Sequence, residues 1–218
     1  MCFSVTASFA AGAGLIVVGA MTLSRVRAPA EIPYALIPGL FAIQQLIEGG
    51  LWLTVAGKAP HLNAVLTHAY AFFSHVLWPI FVPIAVFLIE PDRRRRRFLL
   101  GFVAAGAFAG LYLLYFLLAE PTKAEVIGGH IRYVSPHFFA GPILALYVLG
   151  TCVSSFLSSH PAVRLFGFVA AVSLAAASAF YAFWFISVWC FFAAVLSVVV
   201  LLYFRPMARK PKHRAIVA

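Results

Sequence analysis

Trp78-Pro-Ile-Phe-Val-Pro-Ile-Ala-Val-Phe-Leu-Ile89 carries no charge. Glu90-Pro91-Asp92 and five arginines then interrupt it, before Phe98-Leu-Leu-Gly101 resumes an apolar run. That alternation decides the fold. An apolar stretch of about 20 residues crosses the roughly 30 Å hydrocarbon core of a bilayer as a helix. A charged knot between two such stretches is a turn outside the bilayer. Working outward in both directions, the same alternation recurs along the chain. Seven spans are expected, at about 5–24, 33–56, 63–89, 98–119, 137–157, 163–183 and 186–204. Arg25 and Arg27 close the first, Lys58-Ala59-Pro60 the second, Glu120-Pro121 the fourth and Ser158-Ser159-His160-Pro161 the fifth. No stop signal separates the last two. A helix from Val163 to Phe204 would be about twice the bilayer thickness, so a turn is expected near Phe183–Ser187.

Composition agrees. Of 218 residues, 64% are hydrophobic and 10% charged, whereas a soluble domain carries about a quarter charged residues. A water-soluble fold, a disulfide framework and a nucleic-acid binder are thereby excluded, despite a net charge of +10. The expected class is all-α: one polytopic domain, residues 1–218, with seven transmembrane helices. Arg25, Arg27, Arg93 to Arg97, Arg164, Arg205, Arg209, Lys210, Lys212 and Arg214 fall on one side, against Lys58, Lys123 and Arg132 on the other. Basic loops face the cytoplasm, so the N-terminus is expected outside and the C-terminus cytoplasmic. Arg93, Arg94, Arg95, Arg96 and Arg97 suit contact with anionic lipid head groups. The longest outer loop, 121–136, has Gly128-Gly129 between short β-prone runs and is expected to form a hairpin lid. In the fourth span, Gly106-x-x-x-Gly110 and Gly101-x-x-x-Ala105 suit close helix packing.

Polar residues inside the apolar runs mark the candidate site. Glu48 is the one acid well inside a span, and Gln44, Glu48 and Trp52 share a helix face at i, i+4, i+8. An ionised carboxylate in hydrocarbon costs several kcal/mol unless paired, so Glu48 is expected protonated, paired or metal-bound. His68 and His75, seven apart, share a face of the third span. Five of the seven histidines fall toward the outer side, among them His137 at the start of the fifth span. Glu48, His68, His75 and His137 are therefore expected to converge in one outer-half cavity. Imidazole with carboxylate suits Zn, Cu or Fe. Gln44, Gln45, Trp52, Trp78 and Cys2 are expected around it as a second shell or pocket wall. Cys2 and Cys190, at the same membrane face, are candidates for a disulfide.

Met1-Cys2-Phe3-Ser4 together with Gln45-x-x-Glu48-Gly49 and the Glu90-Pro91 before the arginines resembles an uncharacterised bacterial family of small integral membrane proteins. Its members begin Met-Cys-Phe/Trp-Ser and are a domain family of unknown function. The resemblance implies the bacterial inner membrane and draws attention to Cys2, Gln45, Glu48 and Trp52. It implies no activity.

Three functional readings follow. The first is a metal- or haem-associated polar site in the outer half of the bundle, with catalysis among its uses. The second is a small-molecule transporter or receptor with a protonatable Glu–His pocket. The third is an accessory subunit packed against a larger membrane complex.

Overall fold

The computed structural model describes residues 4–55, 59–136 and 139–205. It is all-α apart from one hairpin. Among the described residues, six helices are long and apolar enough to cross a membrane: Val5–Leu23, Pro29–Thr54, Pro60–Ile89, Arg93–Ala119, Pro161–Phe180 and Phe185–Tyr203. A seventh apolar helix, Ala140–Phe156, is shorter. In finer detail these are α1 (Val5–Leu23), α2 (Ile32–Thr54), α3 (Pro60–Ala71) continuing into α4 (Trp78–Ile89), and α5 (Arg93–Ala119). After the hairpin come α6 (Ala140–Val148) leading into α7 (Ser154–Phe156), α8 (Pro161–Phe180), and α9 (Phe185–Leu196) leading into α10 (Val200–Tyr203).

The outside of the bundle is apolar. Phe98, Phe108, Leu111, Tyr115 and Leu118 stand 59–78% exposed along α5. Contiguous apolar surface on that scale is a lipid-facing surface. Small residues bring the helices together. On α1, Gly12 lies against Leu46 and Ala42, and Gly19 against the backbone of Gly39. Thr22 Oγ1 donates to the Ala35 carbonyl at 2.7 Å, tying the end of α1 to the start of α2. On α5, Gly106 and Gly110 pack against Pro79, Pro83, Ile80 and the Val76 carbonyl. Gly101 faces open space, so the second small-residue pair does not serve that contact.

Two positions differ from expectation. The turn before the last helix lies at Tyr181–Trp184, with α8 ending at Phe180. The cluster Arg93 to Arg97 is not loop but the first turns of α5. Asp92 caps it by accepting from the Arg95 N–H at 2.8 Å. Five cations at a helix N-terminus oppose the helix dipole, so local helix stability does not account for them.

A latch joins the loops at this basic end. The buried Glu90 carboxylate accepts from the Ser159 N–H at 2.7 Å, the Ser159 hydroxyl at 2.5 Å and the Asp92 N–H at 3.1 Å. Arg95 donates to the carbonyls of Leu157 and Ser158. Burial alone would raise the Glu90 carboxyl's pKa, but these donors outweigh it and hold it below its ordinary value.

At the opposite end, β1 (Lys123–Ile127) and β2 (His130–Val134) form an antiparallel hairpin, with Ile127 opposite His130. Gly128 and Gly129 make its turn at φ +60° and +78°, a conformation in which only glycine is unstrained. Ile131 and Tyr133 point inward and pack with Leu51, Tyr70 and Cys190. Tyr133 stacks on Tyr70 at 4.3 Å. Trp184 Nε1 donates to the Ile127 carbonyl at 2.9 Å, and Arg132 lies over the Phe183 ring. The hairpin is thus seated on the ends of α2, α3 and α9.

Candidate functional site

The site starts from a proline. Between α3 and α4 the chain makes a π-turn, Phe72–Leu77. The Trp78 N–H reaches back five residues to the Phe73 carbonyl. The Ser74 carbonyl would next pair with residue 79, but Pro79 has no N–H. Tyr147 of α6 supplies the missing donor, its hydroxyl 2.7 Å from the Ser74 oxygen. A buried carbonyl stranded in an apolar bundle is thereby satisfied from another helix.

The same π-turn separates the two histidines. Seven residues return to one face only in an uninterrupted α-helix. His75, inside the π-turn, is buried, with Nδ1 2.8 Å from the Ser74 hydroxyl. His68 is exposed, with Nδ1 2.8 Å from the Ala64 carbonyl of its own helix. The expected common face of His68 and His75 is not formed.

From α2, Gln44 and Glu48 enter the bundle fully buried. Gln44 Oε1 accepts from Trp78 Nε1 at 2.7 Å, and the Trp78 ring stacks on Phe41 at 3.8 Å. Glu48 Oε1 accepts from the Ser187 hydroxyl of α9 at 2.8 Å. One turn further along α9, Cys190 lies against Gln44 and Tyr70, with Glu48 near. Cys190 is a free, buried thiol among the described residues; the disulfide expected with Cys2 falls on a residue outside them. Cys190 points into the core, where a bridge would need the partner inside the bundle. Gln45 is also fully buried, and its amide oxygen and nitrogen have no partner among the described residues; nor does Gln44 Nε2. Trp52 is half-buried on the Leu51–Tyr70 cluster. Cys2 and His137 lie outside the described residues.

A cavity of about 200 Å³ opens beside these groups. Ser74, His75, Tyr147 and Cys190 border it, and Ile143, Phe185 and Trp189 form apolar walls. Ala140 and Leu144, which also line it, are exposed on the flank of the bundle. The cavity therefore reaches the lipid-facing surface between α6 and α9. The seated hairpin lies over Cys190 at the bundle end. Among the described residues, no group of three or more His, Cys, Asp or Glu side chains could hold a metal.

Of the expected residues, the structure gathers Gln44, Glu48, Trp78 and His75 around this region and turns His68 away. Sequence reasoning missed Ser187, Tyr147 and Tyr70. Ser187 and Cys190 at i, i+3 within an apolar run were a readable sign. Tyr147 was not, because its partner is a backbone carbonyl released by a proline in another helix.

No curated protein and no solved structure matches the chain. A family model does, over residues 1–215, and the chain belongs to that family, a family of unknown function (DUF6629).

Proposed function

We propose that this membrane protein binds a small amphipathic molecule that enters sideways from the bilayer. The observation that carries this is the cavity between α6 and α9, apolar over nearly all of its surface and open toward lipid, with Ser74, His75, Tyr147 and Cys190 bordering it. A ligand with an apolar body and a hydrogen-bonding head fits such a cavity. His75, Ser74 and Cys190 meet the head. Glu48 and Ser187 lie behind Cys190, where Glu48 takes or gives a proton. The hairpin acts as a lid that keeps water from the site.

The topology in this reading has seven spans in a bacterial inner membrane, with the N-terminus outside and the C-terminus cytoplasmic. Ala140–Phe156 is the fifth span in chain order, shortened at the cavity mouth. Arg93 to Arg97 then face the anionic leaflet, which offsets their unfavourable place at a helix start.

The test is organic extraction of the purified protein followed by mass spectrometry, comparing wild type, Ile143→Trp and Glu48→Gln. Ile143→Trp fills the cavity, and Glu48→Gln keeps shape while removing charge. A species carried by wild type should be lost from the first and depleted from the second. Identical extracts from all three would sink the pocket reading. Zinc, copper and iron are measured on the same sample. A stoichiometric metal or haem would move the assignment to a metal centre, with Glu48 and His75 as two of its ligands.

A further inference from the structure

We propose a second binding site, for a phosphate group, at the basic end of the bundle. It is a cavity of about 620 Å³ lined by Arg27, His160 and Arg205 and walled by Leu165, Leu202 and Phe204. It is separate from the Arg93–Arg97 cluster and from the pocket between α6 and α9, and it does not depend on the ligand proposed there.

Three observations converge. The first is charge. Glu31 is the one acid in the lining, and its Oε2 is already held by the N–H groups of Arg27 and Ala28 at 2.7 and 3.4 Å. Its Oε1 accepts from the Tyr203 hydroxyl at 3.4 Å. The acid's charge is thus engaged by the backbone and a phenol, and the side chains of Arg27 and Arg205 are exposed. Two guanidiniums on one cavity are the usual means of holding phosphate oxygens.

The second is the helix terminus in the wall. Pro161 and Ala162 line the cavity at the start of α8, and His160 at the N-cap offers no side-chain cap. The His160 Nε2 is turned away, 3.1 Å from the Ile89 carbonyl. The first turn of α8 therefore presents its dipole to the cavity without a side-chain acceptor at the cap.

The third is the apolar side. Leu165 is 41% exposed and borders the same cavity. An ion from water has no use for that wall, whereas an acyl chain leaving a phosphate headgroup would run along it. The chemistry shared by both sources is the phosphate. The wall favours an anionic phospholipid.

The experiment uses the full chain in detergent, titrated with phosphatidylglycerol, phosphatidylcholine or inorganic phosphate, with bound lipid counted by native mass spectrometry. Wild type should retain phosphatidylglycerol over phosphatidylcholine. Arg27→Gln/Arg205→Gln should bind it about 10-fold or more weakly, as expected for two charges lost near an anionic group. Lys123→Gln, an exposed cation at the opposite end of the bundle, serves as control and should keep the site. Arg27→Lys/Arg205→Lys retains the charge and should retain most of the binding, which separates charge loss from misfolding. Phosphate that binds wild type, with no preference for phosphatidylglycerol, would assign the site to the free ion. Wild-type affinity for both phosphatidylglycerol and phosphate in Arg27→Gln/Arg205→Gln would overturn the proposal, as would equal losses in the control.

Discussion

Tyr147 exists to answer a proline. Its hydroxyl meets a carbonyl that the π-turn and Pro79 leave without a helical donor. Tyr147→Phe keeps the ring and removes that donor, stranding the Ser74 oxygen inside the bundle. The loss should be about 2 kcal/mol, read as a lowered melting temperature of the detergent-solubilised protein. An unchanged midpoint would mean the carbonyl finds another donor. Glu90 is the second residue whose role is set by its neighbours. Its folded-state pKa is depressed by donors from Ser159 and Asp92. The stability it contributes is therefore full above the ordinary carboxylate pKa and declines as pH falls through the depressed folded value. Glu90→Gln should cost about 2 kcal/mol at neutral pH and flatten the acid limb of the stability–pH curve. A variant with the wild-type acid limb would show that other carboxylates govern it.

At the scale of elements, the crossing of α4 and α5 is a close backbone contact. Pro83 has no N–H for the Pro79 carbonyl, and Gly106 and Gly150 both lie on that oxygen. A methyl at Gly106 would fall directly on it, and the obstacle is backbone, which cannot swing aside. Gly106→Ala should cost about 3 kcal/mol, the upper end of ordinary overpacking. Gly101→Ala, facing open space, should be neutral or slightly stabilising through helix propensity. Thermal unfolding of the two variants side by side measures this. Equal midpoints would refute the close crossing. The Gly106-x-x-x-Gly110 motif was legible because small residues at that spacing have one physical use in helix pairs. Gly101-x-x-x-Ala105 has the same spacing, and only the partner helix decides which pair is used.

For the whole molecule, the topology proposed above makes a direct prediction. Reporter fusions placed after Arg97 and at Ala218 should both report the cytoplasm, and one in the hairpin at Gly129 the opposite side. A hairpin reporter on the cytoplasmic side would reverse the orientation. Sequence alone determined that the chain is an all-α membrane protein, where its apolar runs break, and that Glu48 and the Gln44–Gln45 pair are out of place in hydrocarbon. These follow from transfer free energies of single residues and from periodicity, both local quantities. The Gly128-Gly129 turn was local too. Tertiary structure alone decided which polar residues meet. Helical spacing put His68 with His75, but a π-turn lies between them, and its placement depends on Pro79 and on a tyrosine from another helix. Ser187 became Glu48's partner, and Cys190 its neighbour, because α9 crosses α2 at that depth, a packing outcome that no window of sequence contains. The basic-end cavity likewise draws Arg27, His160 and Arg205 from three distant segments, which only the closed bundle brings together.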